Sequence, residues 1–462
     1  MIDNSQSVDD GIPVTENETI PGATPPGAPP TATQPGHLSS AGPPQGHRSL
    51  FHHHDFRQLW MGDAVSQFGL QLVGLAMPIL AVQVLEAGEF EMGLLGTFEM
   101  LAFLVVGLPA GAWVDRWRKR RVIILGDLVR GAVLMTLPAA WLLESLTMVH
   151  VYVVALVVGT VTVFFDVANQ SFLPAIVPSK QIGEANAKVM ATQSVAQIAG
   201  PALGAGLIRM IGAPLTIAVT AVSMVVSTVF VWRVRHEEEP PAVESRRPLR
   251  TEIREGLAFL FHQPLLRRIV LCTTLSNGAS SVSGVLLVLF VLRDLGLTEA
   301  TLGLVFSVGA VGGLLAAVVV TRIARVIGEG RSIPIFALLF GPFSALTPLA
   351  IHLPAVPSLV VGSFGVSFSA VAYNVIQVSF RQRLCPKPLL GRMNASIRFL
   401  VWGIMPIGAF LGGVLGARIG VVPTMWLSVA GVVLASAPVL FSPLVRMRDL
   451  PRELDALAEE TR

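Results

Sequence analysis

The sequence predicts an all-α polytopic membrane protein in which twelve transmembrane helices form two pseudo-symmetric six-helix halves. Three observations carry this prediction: the composition, apolar segments of about 20 residues, and an internal repeat. Hydrophobic residues make up 52% of the 462 positions and charged residues only 14%, a balance that soluble domains do not have. About 20 apolar residues in a helix cross the roughly 30 Å hydrocarbon layer. The lipid bilayer is therefore the expected partner. Membrane orientation explains the formal net charge of +3 better than nucleic-acid binding does.

The first 50 residues form a different kind of segment. They contain nine prolines and almost no large apolar residues, so they cannot bury a core and are predicted to be a disordered cytoplasmic tail. The histidines at 47 and 52–54 lack the carboxylate or cysteine partners of a metal site. Cys272, in an apolar segment, and Cys385, in a basic loop, lie far apart in the sequence and at opposite ends of the predicted topology, so we expect no disulfide and no metal site. No cofactor is expected either.

The connections between apolar segments predict the orientation. Those at 116–121, 233–254, 322–331 and 381–392 are rich in Arg and Lys, whereas the only charged residues at 85–92 are glutamates. Cationic connections stay in the cytoplasm, which predicts a multi-pass protein of the cell membrane with both termini cytoplasmic. The predicted spans are 59–84, 93–114, 122–143, 149–171, 183–210, 213–233, 266–292, 301–324, 333–352, 357–379, 391–417 and 422–445.

The longest predicted connection between spans, at 234–265, lies near the middle of the chain and contains two adjacent prolines. It is interpreted as a cytoplasmic linker between an N-terminal half at 51–233 and a C-terminal half at 266–446. A cytoplasmic tail at 447–462 follows. We expect a monomer.

An internal repeat supports this division. Residues 171–212 match residues 379–420 at a constant offset of 208, with twelve identities in 42 positions and no gap. One of the identities, Pro178 with Pro386, is an uncommon residue for a membrane helix. The match therefore indicates a duplicated half. Parallel halves place a substrate cavity near the bilayer midplane, between the repeats.

Two short elements support a family resemblance. The connection after the second span has six charged residues in seven positions, and the fifth span contains a run rich in Gly with one Pro. With these elements the chain resembles the major facilitator superfamily, in the branch of drug:proton antiporters that includes macrolide-efflux and enterobactin-exporter-like proteins. The resemblance covers roughly residues 51–450. The superfamily pattern Gly-x-x-x-Asp-Arg-x-Gly-basic-basic is matched by Gly111, Asp115, Arg116, Lys119 and Arg120, with Arg118 where Gly is usual.

The resemblance implies that this charged connection is a conformational latch. The carboxylate of Asp115 can be held by cations or by the positive N-terminal end of a helix in the other half, and the family places that contact near Gly391 and Arg392. Membrane orientation alone explains Arg118 and Arg121. We expect the substitution Asp115→Asn to weaken the outward-open state.

The run in the fifth span resembles the Gly-Pro-x-x-Gly-Gly element that the superfamily associates with antiporters. It consists of Gly200, Pro201, Gly204 and Gly206. Proline bends a helix and small residues let the neighbouring half approach closely. The repeat copy has Ala409 in place of the proline. Helix packing alone explains the four-residue spacing of the glycines equally well.

Ionisable residues inside the spans are costly and are candidates for functional sites. Asp127 and Arg130 share one face of the third span, and together with Asp166 they are predicted to form a structural charge cluster rather than to couple protons. Glu99 has no cation nearby in the sequence, and burial favours the protonated form of an acid. Glu99 is therefore the first candidate for the coupling carboxylate, with a place in a water-filled mouth as the alternative; the other candidates are Asp63, Asp127 and Asp166.

Four residues are candidates for substrate contact or charge pairing. Arg398 can neutralise an anionic substrate group or pair with an acid of the other half, and Arg130 is the second candidate cation. Asn374 and Gln377 share a face of the tenth span, where amides are costly toward lipid. Aromatic residues such as Trp402 can line a cavity, although packing is their default role.

The predicted function is proton-driven export of small amphipathic molecules by alternating access. The chain has no phosphate-binding Gly-x-x-x-x-Gly-Lys-Ser/Thr sequence and no catalytic constellation in the spans, so neither an ATP-driven pump nor an enzyme is expected. Two alternatives stay open: an importer of a small solute on the same fold, and a non-transporting membrane sensor.

Overall fold

The computed structural model describes Leu50 and residues 53–114, 116–236, 238, 257–385 and 389–448. Several predicted features lie outside the described residues: nearly all of the tail at 1–50, Asp115, most of the linker at 234–265, and the chain beyond 448. Within the described residues, all regular structure is helical.

The helices follow the predicted order of spans. In the N-terminal half they are α1, His54–Gln83; α2, Glu89–Val105 continued by Gly107–Val114; α3, Lys119–Leu142; α4, Met148–Ile176; and Ile182–Trp232, which contains α5 (182–211) and α6 (213–232). In the C-terminal half they are α7, Pro264–Gly284 continued by Leu287–Leu289 and Phe290–Asp294; α8, Glu299–Ile327; α9, Glu329–Leu349; α10, Ala355–Leu384; α11, Leu390–Gly403 continued by Met405–Ile419; and α12, Val421–Ala435 continued by Ala437–Leu440.

The predicted number of spans is confirmed once two helices are considered separately. Ten helices in the described part of the chain are long and apolar enough to cross a membrane. One of the ten is Ile182–Trp232, whose backbone leaves the helical region at Gly212, so it counts twice. The twelfth span is α2, which is interrupted at Val106 and carries glutamates. The predicted and observed ends differ by at most five residues, as at 379 against Leu384.

The backbone repeats its conformation at positions that the sequence repeat relates. Gly212, between α5 and α6, has φ 81° and ψ 162°. Gly420, between α11 and α12, has φ 90° and ψ 163°. These dihedral angles belong to a region that essentially only glycine occupies. The same sharp turn therefore ends the fifth helix of each half, at the offset of 208 seen in the sequence.

The outer surface of the bundle is apolar, as expected for contact with lipid. Large side chains such as Val318 (60% exposed) and Leu427 (51% exposed) point away from the protein. The interior is packed tightly through small residues: in the N-terminal half, Gly69 of α1 lies against Ser223 and Met224 of α6. Close helix approach through small residues is typical of membrane proteins, where apolar burial alone does not distinguish protein from lipid.

The backbones of the two halves approach closely at one end of the bundle. This end, which carries the connections at 84–88, 143–147, 294–298 and 350–354, is called the acidic end. Gly93 of α2 lies so close to α11 that a Cβ atom built on it would be 2.7 Å from the backbone nitrogen of Gly413. A Cβ atom on Gly303 of α8 would be 2.9 Å from the carbonyl oxygen of Pro201 in α5.

Side chains add to this closure. Gln83, the last residue of α1, donates a hydrogen bond to the carboxylate of Glu299, the first residue of α8. Phe90 of α2 and Phe410 of α11 meet edge to face, with ring centroids 6.3 Å apart. The halves are therefore sealed at the acidic end.

Candidate functional site

At the opposite end, the halves separate around a cavity. This end carries the connections at 115–118, 177–181 and 385–389 and is called the basic end. The cavity there, the basic-end cavity, has a volume of about 280 Å³. Its lining comes from α2, α4 and α11, with Gly111, Asp166 and Gln170 on one side and Ala395, Arg398 and Phe399 on the other. The structure is thus closed at the acidic end and open toward the basic end.

Opposite charges from the two halves line the basic-end cavity. Asp166 projects from α4, and the cations that act electrostatically on its carboxylate are Arg130 and Arg398. Arg398 comes from α11 and is solvent-exposed. Its guanidinium carbon lies 5.2 Å from the ring centroid of Trp402, within the range of a cation–π contact. Arg398 therefore stands where it acts on an acid of the other half.

A fully buried ion pair lies deeper in the N-terminal half. Asp127 and Arg130 of α3 form a salt bridge, and both side chains are 0% exposed. Ser227 of α6 donates to the second carboxylate oxygen of Asp127 at 2.6 Å. Ser66 of α1 donates to the first at 3.3 Å, and the guanidinium carbon of Arg130 lies 4.0 Å from the Phe165 ring centroid. The pair is held by four helices and does not line the basic-end cavity.

Asp63 of α1 is buried but only partly satisfied. Asn169 of α4 donates to its Oδ1 atom at 2.8 Å, while within the described residues no group meets the distance and angle of a hydrogen bond to the buried Oδ2 atom. A polar cavity of about 80 Å³ adjoins it, large enough for water. Because Asp166 and Gln170 line both this cavity and the basic-end cavity, the two adjoin. Asp63 thus lies beside a small cavity that neighbours the basic-end cavity.

The contribution of Asn169 was not predicted from the sequence. It lies three residues after Asp166 on α4, a spacing that places both side chains on one helix face. An amide one turn from a buried acid is the signal that points to it.

Glu99 of α2 lines a different cavity, the Glu99 cavity, between the two halves. It has a volume of about 330 Å³ and is lined by α1, α2, α7, α8 and α11. In the part of the chain that the structure describes, the half-buried Glu99 side chain has no hydrogen-bond or ion-pair partner. Met100, Met405 and Phe306 line the same cavity, together with the polar side chains of Asn277, Ser280 and Ser281.

An aromatic contact separates the Glu99 cavity from the basic-end cavity. Phe103 of α2 and Trp402 of α11 both line the basic-end cavity, and the neighbouring residues Met100 and Met405 line the Glu99 cavity. The two rings meet edge to face, with centroids 4.8 Å apart. Glu99 and Asp166 therefore lie in compartments on opposite sides of this contact.

The described residues of the predicted latch are not joined to the other half in this conformation. Gly111 lines the basic-end cavity, Arg116 is exposed and Lys119 begins α3. The Arg120 side chain donates to the carbonyl oxygen of Val231 at 3.4 Å, at the end of α6 in its own half. Asp115 lies outside the described residues. The latch stays a prediction, and a structure open at the basic end is the state in which it is expected to be released.

The glycines of the antiporter element face a different neighbour from the predicted one. Gly200 packs against Gln71 of α1, and Gly204 packs against Leu72 of the same helix, so both serve contacts inside the N-terminal half. The close approach to the other half involves Pro201, whose carbonyl oxygen lies against α8. Within α5 and α6 the one break in helical dihedrals is at Gly212, not at Pro201. In this conformation Gly200 and Gly204 make the helix-packing contacts that were the alternative to a direct role in transport, and the antiporter role of the element stays a prediction.

The remaining predicted residues lie away from the two larger cavities between the halves. A Cβ atom built on Gly206 of α5 would have open space within 4 Å. In α10, Gln377 donates to the Asn374 side-chain oxygen at 3.0 Å, and Arg381 in turn donates to Gln377 at 3.5 Å. Asn374 and Gln377 line neither the basic-end cavity nor the Glu99 cavity, so their predicted contact with substrate stays a prediction.

Comparison with known proteins decides the family. Residues 59–407 match the profile of the Major Facilitator Superfamily. The chain belongs to this superfamily. This membership, with the helical bundle described above, makes it a multi-pass membrane transporter and not an enzyme.

Relatives within the superfamily include exporters. Over 363 residues the chain is 26% identical to the multidrug efflux pump Tap of Mycolicibacterium fortuitum, covering 76% of this chain and 86% of that protein. Over 411 residues it is 24% identical to the enterobactin exporter EntS of Salmonella typhimurium, covering 87% and 96%.

Solved structures confirm the major facilitator fold. A bacterial homologue of the iron transporter ferroportin, in its inward-facing state, superposes with a TM-score of 0.67 at 17% identity, covering 85% of this chain and 99% of that one. The nucleoside transporter NupG superposes with a TM-score of 0.70 at 12% identity, covering 84% and 100%. At these identities the likeness concerns the fold.

Proposed function

We propose that this major facilitator protein is a proton-coupled exporter of small amphipathic molecules. The observation that carries the proposal is the carboxylate of Glu99, which has no partner among the described residues and lies in a largely apolar cavity between the two halves. A carboxylate without a cation partner is stabilised in such surroundings by taking up a proton. It can release that proton when the cavity opens to water. The similarity to the efflux pump Tap and the exporter EntS supports the outward direction.

The conformation fits loading from the cytoplasm. The basic end, toward which the structure is open, carries the cationic connections, and we place these connections in the cytoplasm because Lys and Arg are retained there. In that orientation the acidic end, sealed at Gly93 and Gly413, faces outward. Export then requires the halves to rock so that the acidic end opens and the basic end closes.

Two further acids, Asp63 and Asp166, support proton movement on the basic-end side. Asp166 lines the open cavity and Asp63 adjoins it through the small polar cavity. Asp127 is less suited to this task, because its salt bridge with Arg130 and two serine hydroxyls stabilise its charge. We therefore rank Glu99 first for coupling, followed by Asp63 and Asp166.

The test is transport of a fluorescent amphipathic compound in energised inverted membrane vesicles, with and without a protonophore. We expect uptake into the vesicles that collapses when the protonophore is added, and loss of uptake in Glu99→Gln with the protein still present in the membrane. The matched control is Glu144→Gln, since Glu144 is an exposed acid in the connection between α3 and α4.

Three outcomes would count against parts of the proposal. Uptake that is insensitive to the protonophore would remove proton coupling. Gradient-driven movement in the opposite direction would indicate an importer. Protonophore-sensitive uptake that persists in Glu99→Gln would transfer the coupling role to Asp63 or Asp166, which the variants Asp63→Asn and Asp166→Asn then distinguish.

A further inference from the structure

The Glu99 cavity adjoins a second cavity that lies inside the C-terminal half. This second cavity, called the C-half cavity, has a volume of about 250 Å³ and is lined by α7, α8, α9, α10 and α12. Ser280, Gly284 and Phe306 line both cavities, so these three residues mark the junction between them. Small-molecule pockets have volumes of about 300–1,000 Å³, and the two cavities together lie in that range.

The helix α7 is interrupted at the junction. Its first segment ends at Gly284, and helical structure resumes at Leu287. Non-helical backbone at membrane depth is tolerated where it is buried in protein or lines a cavity. A Cβ atom built on Gly284 would have open space within 4 Å. The junction is therefore unobstructed in front of this glycine.

Hydroxyl groups supply the polar surface of the C-half cavity. They belong to Ser280, Ser283, Ser344, Thr347, Ser363, Ser367 and Ser428. Ser344 and Ser363 donate their hydroxyl hydrogens to the carbonyl oxygens of Phe340 and Val305, in both cases at 2.8 Å. A hydroxyl group has one hydrogen and two lone pairs, so these two oxygens retain acceptor capacity for a ligand.

The C-half cavity differs in charge from the two larger cavities between the halves. Among the described residues that line it there is no Asp, Glu, Arg, Lys or His. A charged group that entered it would lose its water without gaining a counter-ion, which is costly. A purely apolar group would displace water from the serine oxygens and leave them without a partner. An uncharged group that carries O–H donors avoids both costs.

We infer that the C-half cavity is a second binding subsite, which takes the uncharged, hydroxyl-bearing end of an elongated substrate. The apolar body of the same molecule lies in the Glu99 cavity, against the methionine side chains there. Its hydroxyl-bearing end passes Gly284 and Phe306 and donates to Ser344 and Ser363. This inference rests on the proposed function, since it names a class of molecules that the exporter recognises.

Two uncharged probes that differ at one end test the inference. They are the dansylamides of 5-aminopentan-1-ol and of pentylamine, which end in a hydroxyl group and a methyl group respectively. Binding to the full chain in lipid nanodiscs is followed by dansyl fluorescence and corrected for partition into protein-free nanodiscs. We expect the hydroxyl probe to bind about fivefold more tightly than the methyl probe, as one neutral hydrogen bond allows. This ratio of affinities is called the hydroxyl preference.

A side chain at the junction tests the route into the C-half cavity. In Gly284→Leu the new side chain occupies open space and obstructs the passage, so we expect the hydroxyl preference to be lost. Gly206→Leu is the matched control. A Cβ atom at Gly206 also has open space, and this glycine lines neither cavity, so the control should keep the hydroxyl preference.

Removal of the acceptor oxygens tests the contact itself. We expect the hydroxyl preference to fall in Ser344→Ala and to vanish in the double variant Ser344→Ala with Ser363→Ala. The Ser344 hydroxyl is bonded within its own helix, so the single variant should fold even if Gly284→Leu does not. Ser379→Ala is the control, because Ser379 makes the same type of bond, to Val375, away from the C-half cavity. Thermal unfolding shows whether each variant is folded.

Equal binding of the two probes by the starting protein would overturn the inference. An undiminished hydroxyl preference in folded Gly284→Leu or in the folded double variant would do the same. Failure of the proposed function gives different results. Protonophore-sensitive transport of both probes at rates that Gly284→Leu does not alter would contradict the subsite and leave proton-coupled export in place. Selective binding of the hydroxyl probe without gradient-driven transport would contradict the export and leave the subsite in place.

Discussion

Phe103 and Trp402, one from each half of the bundle, meet edge to face with ring centroids 4.8 Å apart. The contact lies beside breaks in both helices, at Val106 in α2 and at Ile404 in α11. It separates a cavity open toward the basic end from the cavity that contains Glu99. The aromatic pair therefore lies between the two compartments.

We expect Trp402→Ala to expose the Glu99 cavity from the basic end, because removal of the indole ring opens the partition. The measurement is the rate at which a water-soluble thiol reagent modifies Met100→Cys, in a background where Cys272 and Cys385 are replaced by alanine. The rate should rise several-fold. Phe410→Ala, which removes a ring from the aromatic contact at the acidic end, should leave it unchanged. An unaltered rate in Trp402→Ala would show that the pair is not the partition.

A side chain at Gly93 should prevent closure of the acidic end. A Cβ atom there would lie 2.7 Å from the Gly413 nitrogen, closer than such atoms approach, so α2 and α11 must move apart in Gly93→Val. Oxidative cross-linking between cysteines placed at Gln83 and Glu299, which are hydrogen-bonded in the closed state, measures the closure.

Cross-linking should become several-fold slower in Gly93→Val. Gly206→Val is the matched control, because no atom lies within 4 Å of a Cβ atom at that position, and we expect it to cross-link at the original rate. Equal cross-linking rates in both variants would mean that the contact between α2 and α11 at Gly93 tolerates a side chain.

The buried pair of Asp127 and Arg130 should matter for stability more than for transport. Asp127→Asn removes the carboxylate that forms the salt bridge with the buried Arg130 guanidinium, so we expect a loss of about 3–5 kcal/mol in the free energy of unfolding. The double variant Asp127→Asn with Arg130→Met should recover part of this loss, since neither charge of the pair then remains. Thermal unfolding of the purified protein measures the change.

The exposed acid Glu184 provides the comparison for this pair. Its ion pair with Lys188 lies at the surface, where such pairs contribute about 0–1 kcal/mol, so Glu184→Gln should have little effect. If Asp127→Asn lowered the free energy of unfolding as little as Glu184→Gln does, the pair of Asp127 and Arg130 would not stabilise the fold.

Substitution of Gly212 or Gly420, at the two repeated turns, should destabilise the protein to the same extent. Both have dihedral angles that side-chain-bearing residues rarely adopt, so alanine at either position is expected to cost about 1–3 kcal/mol. Thermal unfolding of the two variants tests this expectation. A cost at only one of the two positions would contradict the structural equivalence of the two halves at this turn.

Much of the fold was predictable, because the length and hydropathy of a span are local properties of the sequence. The helix ends lie within five residues of the predicted ones. The repeat at 171–212 and 379–420 predicted the equivalence that the turns at Gly212 and Gly420 display. The spacing of Asp127 and Arg130 predicted that they share a helix face, and the structure shows them paired.

The candidate site was predictable only as a set of residues. Glu99, Asp63 and Asp166 stand out as acids inside spans, yet their partners come from other helices. Asn169 satisfies one oxygen of Asp63, whereas Glu99 has no partner in the described part of the chain. Similarly, Gly200 faces α1 because of how α5 is rotated about its own axis in the packed bundle. The amino-acid sequence of α5 alone does not specify that rotation.

The sequence by itself determined that this chain crosses the membrane in two related halves and which acids lie within the spans. Hydrophobic length and loop charge suffice for that, since each segment meets lipid and water independently of the others. The tertiary structure alone decided which end of the bundle is sealed, which of the described acids faces a cavity without a partner, and that Phe103 meets Trp402. These features depend on how helices from the two halves are rotated and packed against one another, a relationship between distant segments that no single segment encodes.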